Sequence, residues 1–268
     1  MISGPRPTTD LAPPHRDAML SQPEPACLIL ADITGYTSYL AGVELDHAQD
    51  ILTDLTNTVV GALRPTFRLA KLEGDAAFVY AMTESIDASL LMDTVERTYF
   101  AFRRRLRDIA QASICDCNAC IRMPNLDLKF LAHHGLIGRQ RVAGREELVG
   151  SPVIVAHRLL KNSITEQTGI TAYALYTEDC LRAASADPAA LGLIEHREAF
   201  EHVGEVVGWV SDLGTAWVAE QAIERVDEPR QPPRERVVVT VEPDVVVAGD
   251  RDQRARQVGE HGAGEGAV

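Results

Sequence analysis

Between residues 26 and 224 the apolar and polar positions fall into blocks that read as successive elements. Cys27 to Ala31 is an unbroken apolar run closed by Asp32, which predicts a strand buried on both faces and ended by an acid. From His47 to Leu63, Leu52, Leu55, Val59 and Leu63 recur at helical spacing with Asp50, Asp54 and Asn57 between them, an amphipathic helix. Residues 67–72 and 76–82 are strand-like, and the intervening Glu73-Gly74-Asp75 suits a tight turn, so a β-hairpin follows. Leu91, Val95, Tyr99, Phe102, Leu106 and Ile109 then mark a long helix that crosses the sheet. Leu126 to His134 reads as a strand, with Leu136 to Val142 expected to pair back onto it through Gly135. A helix from Gly150 and Pro152 through Leu160 and a strand at Thr171 to Leu175 complete the series. The order is β-α-β-β-α-β with additions. It predicts an α+β fold with a ferredoxin-like βαββαβ core, its helices on one face of a mainly antiparallel sheet. No internal repeat is visible, which removes solenoids and propellers.

The ends of the 268-residue chain differ in composition. Ten of the fourteen prolines fall in residues 1–25 or 225–268, and neither segment holds a Phe, Tyr or Trp, so both are expected to be largely disordered around one domain at 26–224. Val237 to Val241 and Val245 to Val247 either pair as strands or are the remnant of a longer architecture. With 39 acidic and 26 basic residues the formal charge is −13, a field that argues against nucleic acid and anionic membranes as partners. No apolar run is long enough to span a bilayer and the N-terminus has no secretory pattern, which points to the cytoplasm and to five reduced cysteines.

Two constellations carry chemistry. In the expected arrangement the acid ending the first strand, Asp32, and the acid in the hairpin turn, Asp75, converge. Paired carboxylates at a strand end suit hard divalent cations and, through them, phosphoryl chemistry. The segment Ile33-Thr34-Gly35-Tyr36-Thr37 turns from strand into helix, where free N–H groups favour phosphate. Plainer duties fit the same acids, Asp32 as a helix cap and Asp75 as a turn residue, and spacing alone does not choose. The second constellation, Cys115-Asp-Cys117-Asn-Ala-Cys120, places three thiols within six residues. Tetrahedral zinc would need a fourth ligand, for which Cys180, His133 and His134 are the candidate donors; redox chemistry and plain reduced thiols stay open beside it. Arg103, Arg104, Arg105 and Arg107 read as a solvated helix face.

The motif Asp32-Ile33-Thr34-Gly35-Tyr36-Thr37 resembles the strand-end D-I-x-G-F-T of class III adenylyl and guanylyl cyclases, and Lys71-Leu72-Glu73-Gly74-Asp75 resembles their K-x-x-G-D hairpin. His134-Gly135 resembles their H-x-G strand end, and Gly150 to Leu159 resembles G-D-x-V-N-x-A-x-R-L, so the likeness spans residues 27–176. It is strongest to a cyclase-related bacterial family of uncharacterised function with a Cys-x-Cys-x-x-Cys segment before an H-H-G strand. The resemblance implies a homodimer with composite sites that converts ATP to cyclic AMP and pyrophosphate. Asp32, Asp75 and the Ile33 carbonyl would hold two Mg²⁺ or Mn²⁺ ions, and Gly35, Tyr36 and Thr37 would lie along the triphosphate. Lys71 and Glu147 would contact the purine from the other protomer, favouring ATP, and Arg158 would meet charge developing at phosphorus. The ribose-orienting Asn of the pattern falls at Ile154, and Glu147 replaces the usual Asp. These departures keep a second account in play, a degenerate cyclase-fold module that binds nucleotide as a sensor or regulatory partner. Palm-type diguanylate cyclases fit less well, because the hairpin reads Glu73-Gly74-Asp75-Ala76.

Overall fold

A computed structural model of the chain describes residues 22–227; the two terminal segments beyond these, including the valine-rich pieces at 237–241 and 245–247, lie outside the described residues. The chain runs β1 (Glu24–Thr34), α1 (Tyr36–Leu40), α2 (Leu45–Leu63), β2 (Arg68–Glu73), β3 (Ala76–Met82) and α3 (Ala88–Ala112). It continues through α4 (Asn118–Arg122), β4 (Asp127–Val142), β5 (Arg145–Val149), α5 (Ser151–Leu159), α6 (Ile164–Thr168) and β6 (Tyr173–Thr177). The last elements are α7 (Glu178–Ala183), β7 (Ile194–Phe200), β8 (Gly204–Asp212) and α8 (Leu213–Asp227).

The sheet order is β2-β3-β1-β4-β6-β8-β7, with β5 paired to β4. The first four strands in that order are the ferredoxin-like core, and every pairing is antiparallel except β4 with β6. β1 lies between β3 and β4, and its apolar run serves both faces. Cys27, Ile29, Ala31 and Ile33 join one core with α2 and α3, while Ala26, Leu28 and Leu30 join a second core with Phe78, Ala156 and Leu159. Helices therefore cover the sheet on both sides, not on one as the element order predicts. The cause is α5, whose Ala156 and Leu159 are buried against the face that α2 and α3 leave open.

α2 buries Ala48, Ile51, Leu52, Leu55, Val59, Val60 and Leu63, and α3 buries Leu91, Val95, Tyr99, Phe102 and Leu106, the positions at helical spacing. α3 begins at Asp87, whose carboxylate accepts from the Leu90 N–H at 2.8 Å, a side-chain N-cap. Three partly exposed arginines of α3 tie it to other elements: Arg103 reaches Asp127 at 3.2 Å, Arg104 reaches Glu220 and Glu224 of α8, and Arg105 pairs with Asp54 of α2.

Three further expectations change. β4 does not fold back at Gly135 but runs on to Val142, and it turns at Ala143-Gly144 to pair with β5. Gly135 serves close packing instead of a turn, since a Cβ there would collide with Cγ of Pro152 at the start of α5. β6 begins two residues later than expected, at Tyr173. β1 starts at Glu24, within the segment expected to be disordered, where Arg139 of β4 holds the Glu24 carboxylate at 2.8 Å. The pattern of apolar positions does not predict β7 and β8. β7 is an edge strand, Ile194-Glu-His-Arg-Glu-Ala-Phe200, with little beyond His196 buried and so a weak hydrophobic signal.

Phe102 is wholly buried between α3 and the sheet, so Phe102→Ala is expected to cost about 3–5 kcal/mol, read as a lowered urea midpoint. Leu72→Ala, at a side chain 52% exposed, is expected to leave that midpoint nearly in place.

Candidate functional site

Asp32 stands near the end of β1, opposite Ala76 of β3 on one side and Lys129 of β4 on the other. The β2–β3 turn holds only Gly74 and Asp75, so it sets Asp75 down beside that strand end; the Ile33 N–H donates to the Asp75 carbonyl at 3.4 Å. The two carboxyls sense each other. Burial first, then the negative charge of Asp32, push the Asp75 pKa above its ordinary value. The two acids that the sequence pairs are thus brought together.

Lys129 was not foreseen. Its Nζ lies 3.1 Å from Oδ2 of Asp32 and donates to the Leu160 carbonyl at 3.4 Å. The only sequence signal was a lone lysine in an apolar strand, directly across from Asp32 once register is known. The Thr34 hydroxyl, two residues from Asp32 and so on the same side of β1, is buried without a hydrogen-bond partner among the described residues. Gly35 adopts φ +86°, a left-handed turn that costs glycine little, and so redirects β1 into α1. Tyr36 is half-buried and Thr37 exposed. Tyr36, Leu72 and Gly74, with Leu45, Gln49 and Leu52, line an open cleft of about 340 Å³ against the Asp75 turn.

A bulge in β2 decides where Lys71 points. Leu69 pairs with Val79 but Lys71 with Phe78, so the register slips by one between them. Val79 belongs to the α2–α3 core and Phe78 to the α5 core, so the slip turns Lys71 and Glu73 toward α5. There Lys71 Nζ lies 2.6 Å from Glu73 and 3.9 Å from Glu147 of β5. His157 of α5 adds its Nε2 at 2.6 Å from Glu73 and sets its ring edge-on to Phe78, with centroids 5.1 Å apart. Hydrogen bonding to Glu73 raises the Lys71 pKa. Burial opposes the Glu73 carboxylate, but Lys71 and His157 outweigh it and lower its pKa. Lys71 and Glu147 are therefore neighbours, although they are 76 positions apart. On α5, Ile154 is 59% exposed and Arg158, one turn later, is exposed and has no ion pair or side-chain hydrogen bond among the described residues.

The cysteine segment gathers elsewhere, beside the start of α2. Sγ of Cys117, Cys115 and Cys120 lie 3.3, 3.6 and 3.8 Å from Nδ1 of His47. The expected fourth donors are all displaced. Cys180 is buried against Cys27 with sulfurs 3.8 Å apart, His133 is buried on Thr177 at 2.9 Å, and His134 bonds Thr83 at 2.8 Å. Burial pushes His133 down to about 4 and also lowers His134. His47 was missed because a histidine 68 positions upstream has no local spacing to the thiols; only the packing of α2 on α4 joins them.

With this geometry in view, the fold is that of class III adenylyl and guanylyl cyclase catalytic domains. A bacterial light-regulated adenylyl cyclase superimposes with a TM-score of 0.54 at 12% identity, covering 74% of this chain and 53% of that one. The catalytic core of a rhodopsin-guanylyl cyclase with converted specificity, in complex with ATPαS, gives 0.50 at 12% identity over 72% of this chain and 99% of that one. The chain thus spans about half the length of the light-regulated cyclase. A family model described as protein of unknown function (DUF2652) matches residues 52–168. The uncharacterized protein Rv2561/Rv2562 of Mycobacterium tuberculosis (strain ATCC 25618 / H37Rv) is 32% identical over 165 residues, 62% of this chain and 74% of that protein. The chain belongs to the family of Rv2561/Rv2562. No helix among the described residues is long and apolar enough to cross a membrane.

Because the Asp75 pKa is raised in the fold, the native state holds its proton more tightly than the unfolded chain, and stability falls as pH rises through that range. Asp75→Asn is therefore expected to raise the thermal midpoint at neutral pH. The gain should vanish below about pH 4, where the wild-type carboxyl is protonated in both states. A midpoint unchanged or lowered at pH 7 would contradict the mutual repulsion of Asp32 and Asp75.

Proposed function

We propose that this protein is a purine nucleotide cyclase that takes ATP and releases cyclic AMP and pyrophosphate as a homodimer. The convergence of Asp32 and Asp75 at the end of the central strand carries this reading. The donor set fits divalent cations: two carboxylates share one strand end, one of them strained by the other's charge, beside the unpartnered Thr34 hydroxyl. Asp32, Asp75 and the Ile33 carbonyl would hold Mg²⁺ or Mn²⁺, which when bound neutralises triphosphate charge and stabilises the attacking and leaving oxygens.

The remaining roles belong to side chains of the α5 face. Lys71 donates to a ring nitrogen of adenine while Glu147 accepts from the exocyclic amine, a pairing that guanine would not satisfy. Glu73 holds Lys71 by charge and hydrogen bond, so the ammonium is placed before the base arrives. Arg158, exposed on α5 and without an ion pair or side-chain hydrogen bond among the described residues, would meet a second protomer's substrate and the negative charge that develops at phosphorus. Gly35, Tyr36 and Thr37 border the triphosphate. In the reaction the ribose 3′-oxygen bonds to the α-phosphorus, the bond from that phosphorus to the bridging oxygen breaks with its electron pair leaving on pyrophosphate, and the 3′-hydroxyl proton passes to solvent water. Thr37 is exposed and belongs to a helix of five residues, so its part is a hydroxyl contact, with little help from a helix dipole.

A second reading, a module that binds ATP without turning it over, is favoured by two observations. Ile154 offers no hydrogen bond where the resemblance calls for a ribose-orienting Asn, and Lys129 already neutralises Asp32 at 3.1 Å. Product analysis by mass spectrometry, with each of the four nucleoside triphosphates and Mn²⁺, separates the two. Cyclic AMP from ATP alone is expected, abolished by Asp32→Ala and Asp75→Ala. Ile154→Asn, at an exposed position, is expected to raise the rate about 100-fold by restoring alignment of the 3′-oxygen. Stabilisation by ATP with no product, even in Ile154→Asn, would favour the second reading; no stabilisation and no product would end both.

A further inference from the structure

The nucleotide chemistry leaves the cysteine cluster unused, and its geometry is that of a closed metal site. The ligand atoms of His47, Cys115, Cys117 and Cys120 all lie within 4.8 Å of one another, and no other group of three or more His, Cys, Asp or Glu among the described residues does so. In a tetrahedral zinc site with Zn–S near 2.3 Å and Zn–N near 2.0–2.1 Å, a sulfur and a nitrogen stand about 3.6 Å apart. The three His47 nitrogen to sulfur distances of 3.3, 3.6 and 3.8 Å bracket that value. We propose that His47 Nδ1 and the sulfurs of Cys115, Cys117 and Cys120 form a structural Cys₃His zinc site.

The protein provides the rest of such a site. Cys117 is the residue before α4 and Cys120 lies three positions on, so one helical turn points both sulfurs the same way; Cys115 arrives from the extended segment ahead of them. His47 comes from the first turn of α2, on a separate element. The cluster is therefore a clamp between α2 and the α3–α4 connection, which no local turn could close by itself. Glu44, immediately before α2, grips the same segment by accepting from Asn118 Nδ2 at 3.0 Å and the Ala119 N–H at 3.2 Å. The Tyr39 hydroxyl of α1 donates to the Ala119 carbonyl at 3.0 Å. A metal here would fix the platform on which α1 rests through Tyr39, four residues beyond Gly35. Four protein ligands leave no open position, so the site is structural, not catalytic.

Metal analysis of the full chain, purified without chelators, is expected to find one zinc per chain. Cobalt added to demetallated protein should give the intense near-ultraviolet bands of thiolate coordination and the strong visible bands of tetrahedral geometry. His47→Ala and Cys117→Ser should each weaken cobalt binding by at least about 100-fold, since loss of a ligand exceeds the 10–100-fold cost of losing an outer contact. Asp116→Asn, an exposed change inside the same segment, should leave stoichiometry and spectrum unchanged. If a ligand variant fails to fold, a strong chelator should still lower the thermal midpoint of the wild type and zinc restore it. Zinc below one equivalent and equal in wild type and variants, cobalt spectra unaffected by His47→Ala, or bound iron with sulfide would each overturn the assignment. None of these readouts depends on nucleotide turnover.

Discussion

The antiparallel register of β1 between β3 and β4 is the constraint on which the rest depends. Asp32 faces the α5 side only because Ala26, Leu28 and Leu30 do, and those three are fixed there by burial against Phe78, Leu131 and Leu159. A slip of one residue would send Asp32 to the α2–α3 side and expose every apolar position of the strand to the wrong core. The energy that holds the acid in place is therefore hydrophobic. Three wholly buried aliphatic or aromatic partners at about 1.5–3 kcal/mol each outweigh the cost of bringing one carboxylate near another. A central strand of a two-faced sheet is the place where a pair of like charges is tolerated.

Much of this was legible in the chain. Continuous apolar residues at 27–31 predict a strand buried on both faces, and that property already implies cover on both sides of the sheet. The periodicity of Leu52 to Leu63 and Leu91 to Leu106 places α2 and α3, and the Glu73-Gly74-Asp75 turn places the second acid. What stayed hidden was non-local. Lys129 becomes meaningful only through its register with Asp32, His47 only through the packing of α2 on α4, and the facing of Lys71 only through a bulge that a count of alternating residues does not reveal. Gly135 shows the reverse error: glycine reads as a turn, whereas here it makes room for Pro152.

Lys129 changes how the acid pair is understood. In its absence the negative charges of the two converging carboxylates would repel each other without a neighbouring cation. The ammonium at 3.1 Å from Asp32 supplies a resident positive charge, so the pocket need not be neutralised entirely from outside. A divalent cation would add to that charge instead of replacing a vacancy, and Lys129 would then be drawn toward phosphate oxygens, for which an ammonium is a good point-charge partner.

The two faces of the sheet divide the labour. The α5 face carries Asp32, Lys129, Lys71, Glu73 and His157, all polar groups linked by short ion pairs and hydrogen bonds around a small core. The α2–α3 face carries the larger core, and Cys117 and Cys120 pack at its border. β1 belongs to both, and α1 leaves its end through the left-handed Gly35 to rest on the cysteine segment by way of Tyr39. A single short helix therefore connects the cysteine segment to the strand end that carries Asp32. A clamp placed under α1 is well sited to hold still a loop whose own contacts are few, because α1 has five residues, no side-chain cap and only Tyr39 buried.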